Sequence, residues 1–269
     1  AKVEYQLNAS TSWTTTFTPV QGANTVKVRQ TDVAGNVSQI GTLTFTYDTV
    51  VATPVVALVS DTGTSAVDKI TSVGTIGLSN AETNAVVEYS LDGVTWGSSF
   101  TAVSGLNTVR VRQTDVAGNV SAVTTFSFTL DTTAAAPTVA LTTDTGLSTT
   151  DKITTNGSLK LTGVETGARV EYSADGVSGW SGTFSPVEGS NTVYVRQTDV
   201  AGNVSGNGVL TFTRDTTVPS APTVALASDT GVSGSDGITK TGTLSLGGVE
   251  TGAKVEYQLN ASTSWTTTF

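Results

Sequence analysis

Apolar and polar residues alternate along short stretches of this chain, and no stretch shows a helical period. In K-V-E-Y-Q-L at 2–7 every second residue is apolar, and in L-T-F-T-Y at 43–47 the intervening residues are threonines. A period of two places the apolar residues on one face of a β-strand, and threonine suits the solvated face. Turn residues such as D-G separate these stretches. We therefore predict an all-β chain of short antiparallel strands packed as seven-stranded β-sandwiches.

One phrase, V-R-Q-T-D-V-A-G-N-V-S, occurs three times without a change, at 28–38, 111–121 and 195–205. Successive copies lie 83 and 84 residues apart, and the same elements surround each copy in the same order. A fixed period of this size indicates an array of similar domains. We predict an elongated rod built of a partial repeat at 1–48, complete repeats at 49–131 and 132–215, and a partial repeat at 216–269.

The two partial repeats complement each other in sequence. Residues 253–269 match 1–17 letter for letter. The partial repeat at 1–48 lacks the first two strands of the pattern, and the one at 216–269 lacks the last two. Neither closes a sandwich alone, because a core face and several sheet edges stay open. We expect either a window on a longer periodic polymer or head-to-tail completion, in which the carboxyl end of one molecule completes the amino end of the next.

The composition excludes several kinds of chemistry. The chain contains no Cys and no His, so disulfides, thiolate or imidazole metal sites and Ser-His-Asp or Cys-His catalysis are ruled out. It carries 13 basic and 22 acidic residues, a net charge of −9, which argues against nucleic acid or an anionic membrane as partner. No apolar run approaches the roughly 20 residues of a membrane span. Small, near-identical domains offer no catalytic cleft, so we predict that the chain is not an enzyme.

Aspartates recur at four positions of the repeat: in a D-T-G loop, at the D-x-I-T end of that loop, in the linker after the last strand, and in the T-D-V-A-G-N phrase. Each alone is typical of a turn, because Asp caps its own backbone and Gly accepts a positive φ. In a sandwich, however, the D-T-G loop should approach the outgoing linker. Carboxylates that meet there repel one another unless a cation lies between them, and a flexible oxygen site suits Ca²⁺ better than Mg²⁺.

The sequence therefore predicts calcium at the domain junctions. The best ligand sets are Asp61, Asp68 and Asp131, then Asp144, Asp151 and Asp215, with Asp48, Asp229 and Asp236 at the equivalent positions. The T-D-V-A-G-N phrase lies at the opposite pole of its domain, facing the incoming linker. It supplies weaker candidates, because its aspartate can simply close its own loop: Asp32, Asp115, Asp199, Asn119 and Asn203.

Two further sets of side chains recur in every repeat. The glutamate of each V-E-Y strand faces outward, opposite the arginine of the repeated phrase, and we expect exposed cross-strand ion pairs: Glu4, Glu88, Glu171 and Glu256 with Arg29, Arg112 and Arg196. One tryptophan occupies the same place in each repeat: Trp13, Trp96, Trp180 and Trp265. Such a residue is more typical of a core than of a sugar-binding face.

Four motifs together carry a resemblance to a known family: D-T-G-x-S-x-x-D-x-I-T, the V-E-Y-S strand, G-x-N-T-V-x-V-R-Q-T-D-V-A-G-N-V-S, and the D-T-T-x-x-x-P linker. The repeat resembles the bacterial immunoglobulin-like repeats that build the extender regions of giant adhesins of the RTX and biofilm-associated types. The resemblance covers essentially the whole chain and implies an extracellular stalk on the bacterial surface, stiffened by calcium near its domain junctions. The departures, Asp236-Gly237 for D-K and D-T-V in the first linker, remove no carboxylate.

The predicted function is accordingly a structural spacer that projects a distal adhesive domain for cell adhesion or biofilm formation. Its partners would be the neighbouring repeats of the same chain, through the junctional calcium. The alternative is a carbohydrate- or protein-binding immunoglobulin-like module, for which exposed tryptophans would be the discriminating observation.

Overall fold

The computed structural model describes residues 1–260 and 262–269, and within them the chain forms strands and no helix. The all-β prediction is confirmed. The predicted partial repeat at 216–269 includes Ala261, which lies outside the described residues. The strands are β1 (Lys2–Leu7), β2 (Gly22–Thr31), β3 (Gly41–Tyr47), β4 (Val55–Leu58), β5 (Ile70–Thr71), β6 (Ile76–Ser79), β7 (Val86–Ser90), β8 (Gly105–Thr114), β9 (Thr124–Leu130), β10 (Thr138–Leu141), β11 (Ile153–Thr154), β12 (Leu159–Thr162), β13 (Arg169–Ser173), β14 (Gly189–Thr198), β15 (Gly208–Arg214), β16 (Thr223–Leu226) and β17 (Leu244–Gly247).

Each complete repeat packs a two-stranded sheet on a four-stranded one. In the second repeat the sheets are β4-β6 and β5-β9-β8-β7, and Val56 of β4 packs on Val109 and Val111 of β8. In the third repeat β10-β12 and β11-β15-β14-β13 repeat this order, with Val139 packed on Val193 and Val195. These side chains alternate with polar neighbours along their strands, as a two-layer core requires.

The strand count differs from the prediction of seven antiparallel strands. The second repeat has six strands, and β5 pairs with β9 in parallel. The difference arises in the D-T-G loop, which leaves β4, adds the two-residue strand β5 to the edge of the other sheet, and returns as β6. Because β5 reaches that edge after a crossover, it runs in the same direction as β9.

Residues 1–47 form only the sheet β1-β2-β3. Val26 is buried, but Leu43 is 59% exposed and Phe45 is only half-buried. The residues that correspond to Phe45 in the complete repeats, Phe128 and Phe212, are both 2% exposed. The open core face that the sequence predicts for this segment is therefore present.

Residue contacts divide the chain into two compact units. The first comprises 1–134, 165–168 and 198–205, and the second 135–164, 169–197 and 206–269. The first unit thus includes two loops that the sequence assigns to the third repeat. The four domain boundaries taken from the repeat stay predictions. A search of the described residues for a helix able to cross a membrane finds none.

Candidate metal centre

The D-T-G loop of the second repeat is closed by its own side chains. The Oδ2 atom of Asp61 accepts a hydrogen bond from the Lys69 amide at 2.9 Å, and the buried Thr71 hydroxyl donates to the Ser60 carbonyl at 2.9 Å. The loop then meets the linker, because the Asp131 amide donates to the Thr71 carbonyl at 2.9 Å. The D-T-G loop therefore lies against the outgoing linker, as the sandwich topology predicts.

The tip of this loop packs against the backbone of the repeated phrase at 199–203. The Thr62 hydroxyl donates to the Ala201 carbonyl at 2.7 Å, and the Thr64 amide donates to the Val200 carbonyl at 3.1 Å. Gly63 has a φ of +101°, and a Cβ atom on it would lie 1.9 Å from the Val200 carbonyl oxygen. Glycine is required here both by the left-handed backbone and by the close approach.

The three identical phrases differ in burial according to what packs on them. Val33 is 98% exposed, Val116 is 77% exposed, and Val200 is half-buried beside Ala201, which is 0% exposed. Residues 1–48 contain no D-T-G loop that could cover Val116. The loop at 61–64 covers Val200 and Ala201, so the valine and alanine of the phrase form the surface on which a D-T-G loop packs.

The aspartate of each phrase closes its own loop. The Asn203 amide and side chain donate to the two carboxylate oxygens of Asp199 at 2.8 Å each. The Asn203 side chain also donates to the linker carbonyl of Asp131 at 2.8 Å. In the second repeat the Asn119 side chain bonds Asp115 in the same way and lowers the pKa of that carboxyl group.

Three carboxylates converge where the linker meets this phrase. Asp131, Glu165 and Asp199 each place one oxygen within 4.8 Å of the others, and Asp199 is fully buried. In residues 1–260 and 262–269 no other group of three acidic side chains meets this distance. All three residues belong to the first compact unit.

The spacing and charge of this group could hold a divalent cation with oxygen ligands. Ca²⁺ binds oxygen at about 2.3–2.6 Å, so two ligands on opposite sides of one ion lie roughly 4.6–5.2 Å apart. Without a cation, each pair of carboxylates at that separation repels by about 1 kcal/mol in bulk water and roughly 3–4 kcal/mol at an effective dielectric of 20. The set consists of hard oxygen ligands, which favours Ca²⁺ or Mg²⁺ over softer metals.

One carboxylate oxygen in each of three D-T-G loops is buried without a hydrogen-bond partner. The Oδ1 atom of Asp61 is buried and accepts no hydrogen bond, and the same is true at Asp144 and Asp229. A buried carboxylate oxygen without a partner is costly, because its lost hydration is not replaced. This oxygen recurs in three D-T-G loops, whereas three acids converge only at Asp131, Glu165 and Asp199 among the described residues, so it does not by itself mark the metal group.

The other predicted ligands form turns. In the D-x-I-T group, Oδ1 accepts the amide two residues later; these aspartates are Asp68, Asp151 and Asp236. The linker aspartates do the same: Asp48, Asp131 and Asp215. Asp32 is exposed and bonded to Asn36, whose side chain lowers its pKa. Of the best predicted sets, the structure places only Asp131 in a converged group. In that group Asp131 lies beside Asp199, one of the weaker candidates.

Glu165 is not among the ligand candidates that the sequence predicts. A glutamate recurs at this position in E-T-N or E-T-G, as Glu82, Glu165 and Glu250. That recurrence was the available signal. The short loop that carries this glutamate contains no D-G turn and no pair of aspartates, so the sequence offered no reason to place the glutamate at the junction. The Oε1 atom of Glu82 accepts a hydrogen bond from the Ala52 amide of the preceding linker at 2.6 Å.

The glutamates and arginines of neighbouring strands pair as predicted. Arg29 bonds Glu4 at 2.9 Å, Arg112 bonds Glu88 at 2.9 Å, and Arg196 bonds Glu171 at 3.1 Å. Glu4 and Glu171 are buried rather than exposed, however.

The prediction of core tryptophans is wrong. Each of three half-buried indoles has a guanidinium 4.0–4.1 Å from its ring centroid, in the pairs Trp13–Arg29, Trp96–Arg112 and Trp180–Arg196. Cation–π attraction holds the indole against the arginine on the outer face of the sheet, so the ring does not enter the core.

Comparison with known proteins gives no further identification. No protein-family model matches the chain, and no curated protein is similar to it.

Proposed function

We propose that this chain is part of a calcium-stiffened stalk of a bacterial surface adhesin, outside the cell, and that it projects a distal binding domain. The near-identity of the repeats favours a spacer, because a spacer needs length and uniformity rather than a different surface on each domain. The resemblance of the repeat motifs to adhesin extender repeats points to the same function.

The observation that carries the proposal is the junction at Asp131, Glu165 and Asp199. It combines converging carboxylates with a D-T-G loop whose tip sits on the phrase that holds Asp199. A calcium ion between these carboxylates would replace repulsion by attraction and hold the linker against the next repeat. A junction held in this way would bend less than one held by the linker alone.

Small-angle scattering of the chain with calcium and with EDTA tests the proposal. We expect chelation to shorten the maximum dimension and to lower the melting temperature, because carboxylate repulsion returns at the junction. Asp131→Asn should reduce the response to calcium. Asp68→Asn is the matched control, since Asp68 is exposed and bonded only within its own turn. An unchanged melting temperature and scattering curve in EDTA would refute the stalk proposal.

The second candidate is a carbohydrate- or protein-binding module, which the outer-face position of the tryptophans favours. Against it, an arginine covers one face of each of three indoles. Sugar rings that stack on an indole change its fluorescence. A screen of oligosaccharides that leaves tryptophan emission unchanged is the result expected for a stalk.

A further inference from the structure

One position beside each linker differs between the three repeats. Strands β2, β8 and β14 each begin at a glycine, and that glycine pairs with the last residue of the neighbouring strand: Gly22 with Tyr47, Gly105 with Leu130, and Gly189 with Arg214. The residue before the glycine therefore stands beside the first residues of the linker. It is Gln21, Ser104 or Glu188, although the G-x-N-T-V that follows is shared.

In the first repeat this residue ties the linker back to its own domain. The Gln21 side-chain nitrogen donates to Oδ1 of Asp48 at 2.6 Å. Its side-chain oxygen accepts the Thr49 amide at 3.2 Å and the Thr49 hydroxyl at 3.1 Å. The carboxylate of Asp48 is therefore held beside β2.

In the third repeat a carboxylate does the same. Glu188 accepts the Thr216 amide at 2.9 Å and the Thr216 hydroxyl at 2.8 Å, and it also accepts the Thr217 hydroxyl at 3.4 Å. The Arg214 guanidinium lies 3.7 Å from Oε2 of Glu188, the oxygen that accepts the Thr216 hydroxyl. Gln21 and Glu188 thus share one role through different chemistry.

In the second repeat nothing holds the linker in this way. The short Ser104 side chain makes no hydrogen bond to the linker within the part of the chain that the structure describes, and the Thr132 amide has no acceptor there. Here Asp131 joins Glu165 and Asp199 within 4.8 Å, whereas the equivalent acids of the preceding linker, Asp48, Glu82 and Asp115, form no such group among the described residues.

We propose that the residue before the turn glycine selects which linkers are held by their own repeat and which depend on a cation. Glutamine or glutamate there anchors the linker with no ion present. Serine leaves the linker aspartate available to the acids of the next repeat, so this junction depends on the ion. The anchoring half concerns hydrogen bonds alone, and only the selection of a cation site rests on the proposed function. The serine junction differs from the glutamine junction in its converged group of Asp131, Glu165 and Asp199, which has no counterpart at Asp48 among the described residues.

Amide hydrogen exchange of the full chain in EDTA tests the anchoring half. The amides of Thr49 and Thr216 should exchange about fivefold more slowly than that of Thr132, which is the effect of one exposed hydrogen bond. Gln21→Ser should remove the difference at Thr49, and Ser104→Gln should create it at Thr132. Both sites are exposed, and an unchanged melting temperature verifies folding. Equal exchange at Thr49 and Thr132 in the wild-type chain would overturn the anchoring claim, whatever the chain does with calcium.

Calcium titration of the same variants tests the selection half. Ser104→Gln should weaken calcium binding at the Asp131 group at least threefold. Gln21→Ser should add one binding equivalent, made from Asp48, Glu82 and Asp115. Altered exchange with unchanged calcium binding in both variants would overturn the selection claim and leave anchoring intact. If the wild-type chain binds no calcium, the proposed function fails while the exchange result still stands.

Discussion

Replacing Gly63 by alanine should displace the D-T-G loop from the repeated phrase. The new Cβ atom would lie 1.9 Å from the Val200 carbonyl oxygen and 2.7 Å from the Ala201 carbonyl carbon, distances that backbone atoms cannot accept. The loop must therefore move away and lose the hydrogen bonds that Thr62 and Thr64 make to the phrase. Two such bonds contribute about 1–3 kcal/mol together.

The third repeat supplies a matched control. Gly146 occupies the same D-T-G motif with a φ of +108°, but the nearest atom to a Cβ there is the Ile153 carbonyl oxygen at 3.9 Å. Gly146→Ala therefore adds the strain of a positive φ, about 1–2 kcal/mol, without a clash. The difference between the two variants isolates the contact between loop and phrase.

The Thr64 amide reports this difference directly, because it donates to the Val200 carbonyl. In Gly63→Ala its exchange should rise about 5-fold to 150-fold, because the loop leaves the phrase and the amide loses its acceptor. Gly146→Ala should leave the Thr64 amide at its wild-type rate. The reasoning is refuted if the two variants behave alike.

Two further predictions concern side chains away from the junction. Several hydrogen-bond donors lower the pKa of Asp92, and the Val94 amide has the largest effect. The pKa of Asp92 is lower in the folded chain than in the unfolded chain. Its contribution to stability is therefore complete above the ordinary pKa of 3.8 and is lost as the pH falls below that value. An NMR titration should place the Asp92 midpoint below 3.8, and a midpoint at or above 3.8 would contradict the assignment. Arg196→Lys removes both the paired contacts to Glu171 and the stack on Trp180, so it should cost about 1 kcal/mol and change the indole fluorescence, whereas an unchanged emission spectrum would count against the stack.

The fold was predictable because its signals are local. Alternation in K-V-E-Y-Q-L and L-T-F-T-Y predicts strands β1 and β3, and the repeated phrase predicts that the same arrangement recurs. The parallel strand β5 was not predictable, since two residues carry no periodicity. Its place on the sheet depends on the hydrogen bond from the Asp131 amide to the Thr71 carbonyl, which joins distant parts of the chain.

The candidate site was predictable only in part, for a similar reason. The recurrence of Asp131 and Asp199 marks both as candidates, but their meeting depends on how one repeat follows the next. Glu165 recurs just as regularly and still gave no sign of its position. The tryptophans were misassigned because composition alone does not reveal that an arginine on the next strand offers the indole a partner outside the core.

Calcium titration of the full chain by calorimetry tests the central claim most directly. The wild-type chain should bind calcium, and Glu165→Gln should remove one equivalent or weaken it at least tenfold, because one of three converging carboxylates becomes neutral. Glu82→Gln is the matched control: it alters the same position of the preceding repeat, where the acids do not converge, and should leave binding unchanged. Absence of calcium binding, or identical titrations for the wild-type chain and Glu165→Gln, would contradict the account.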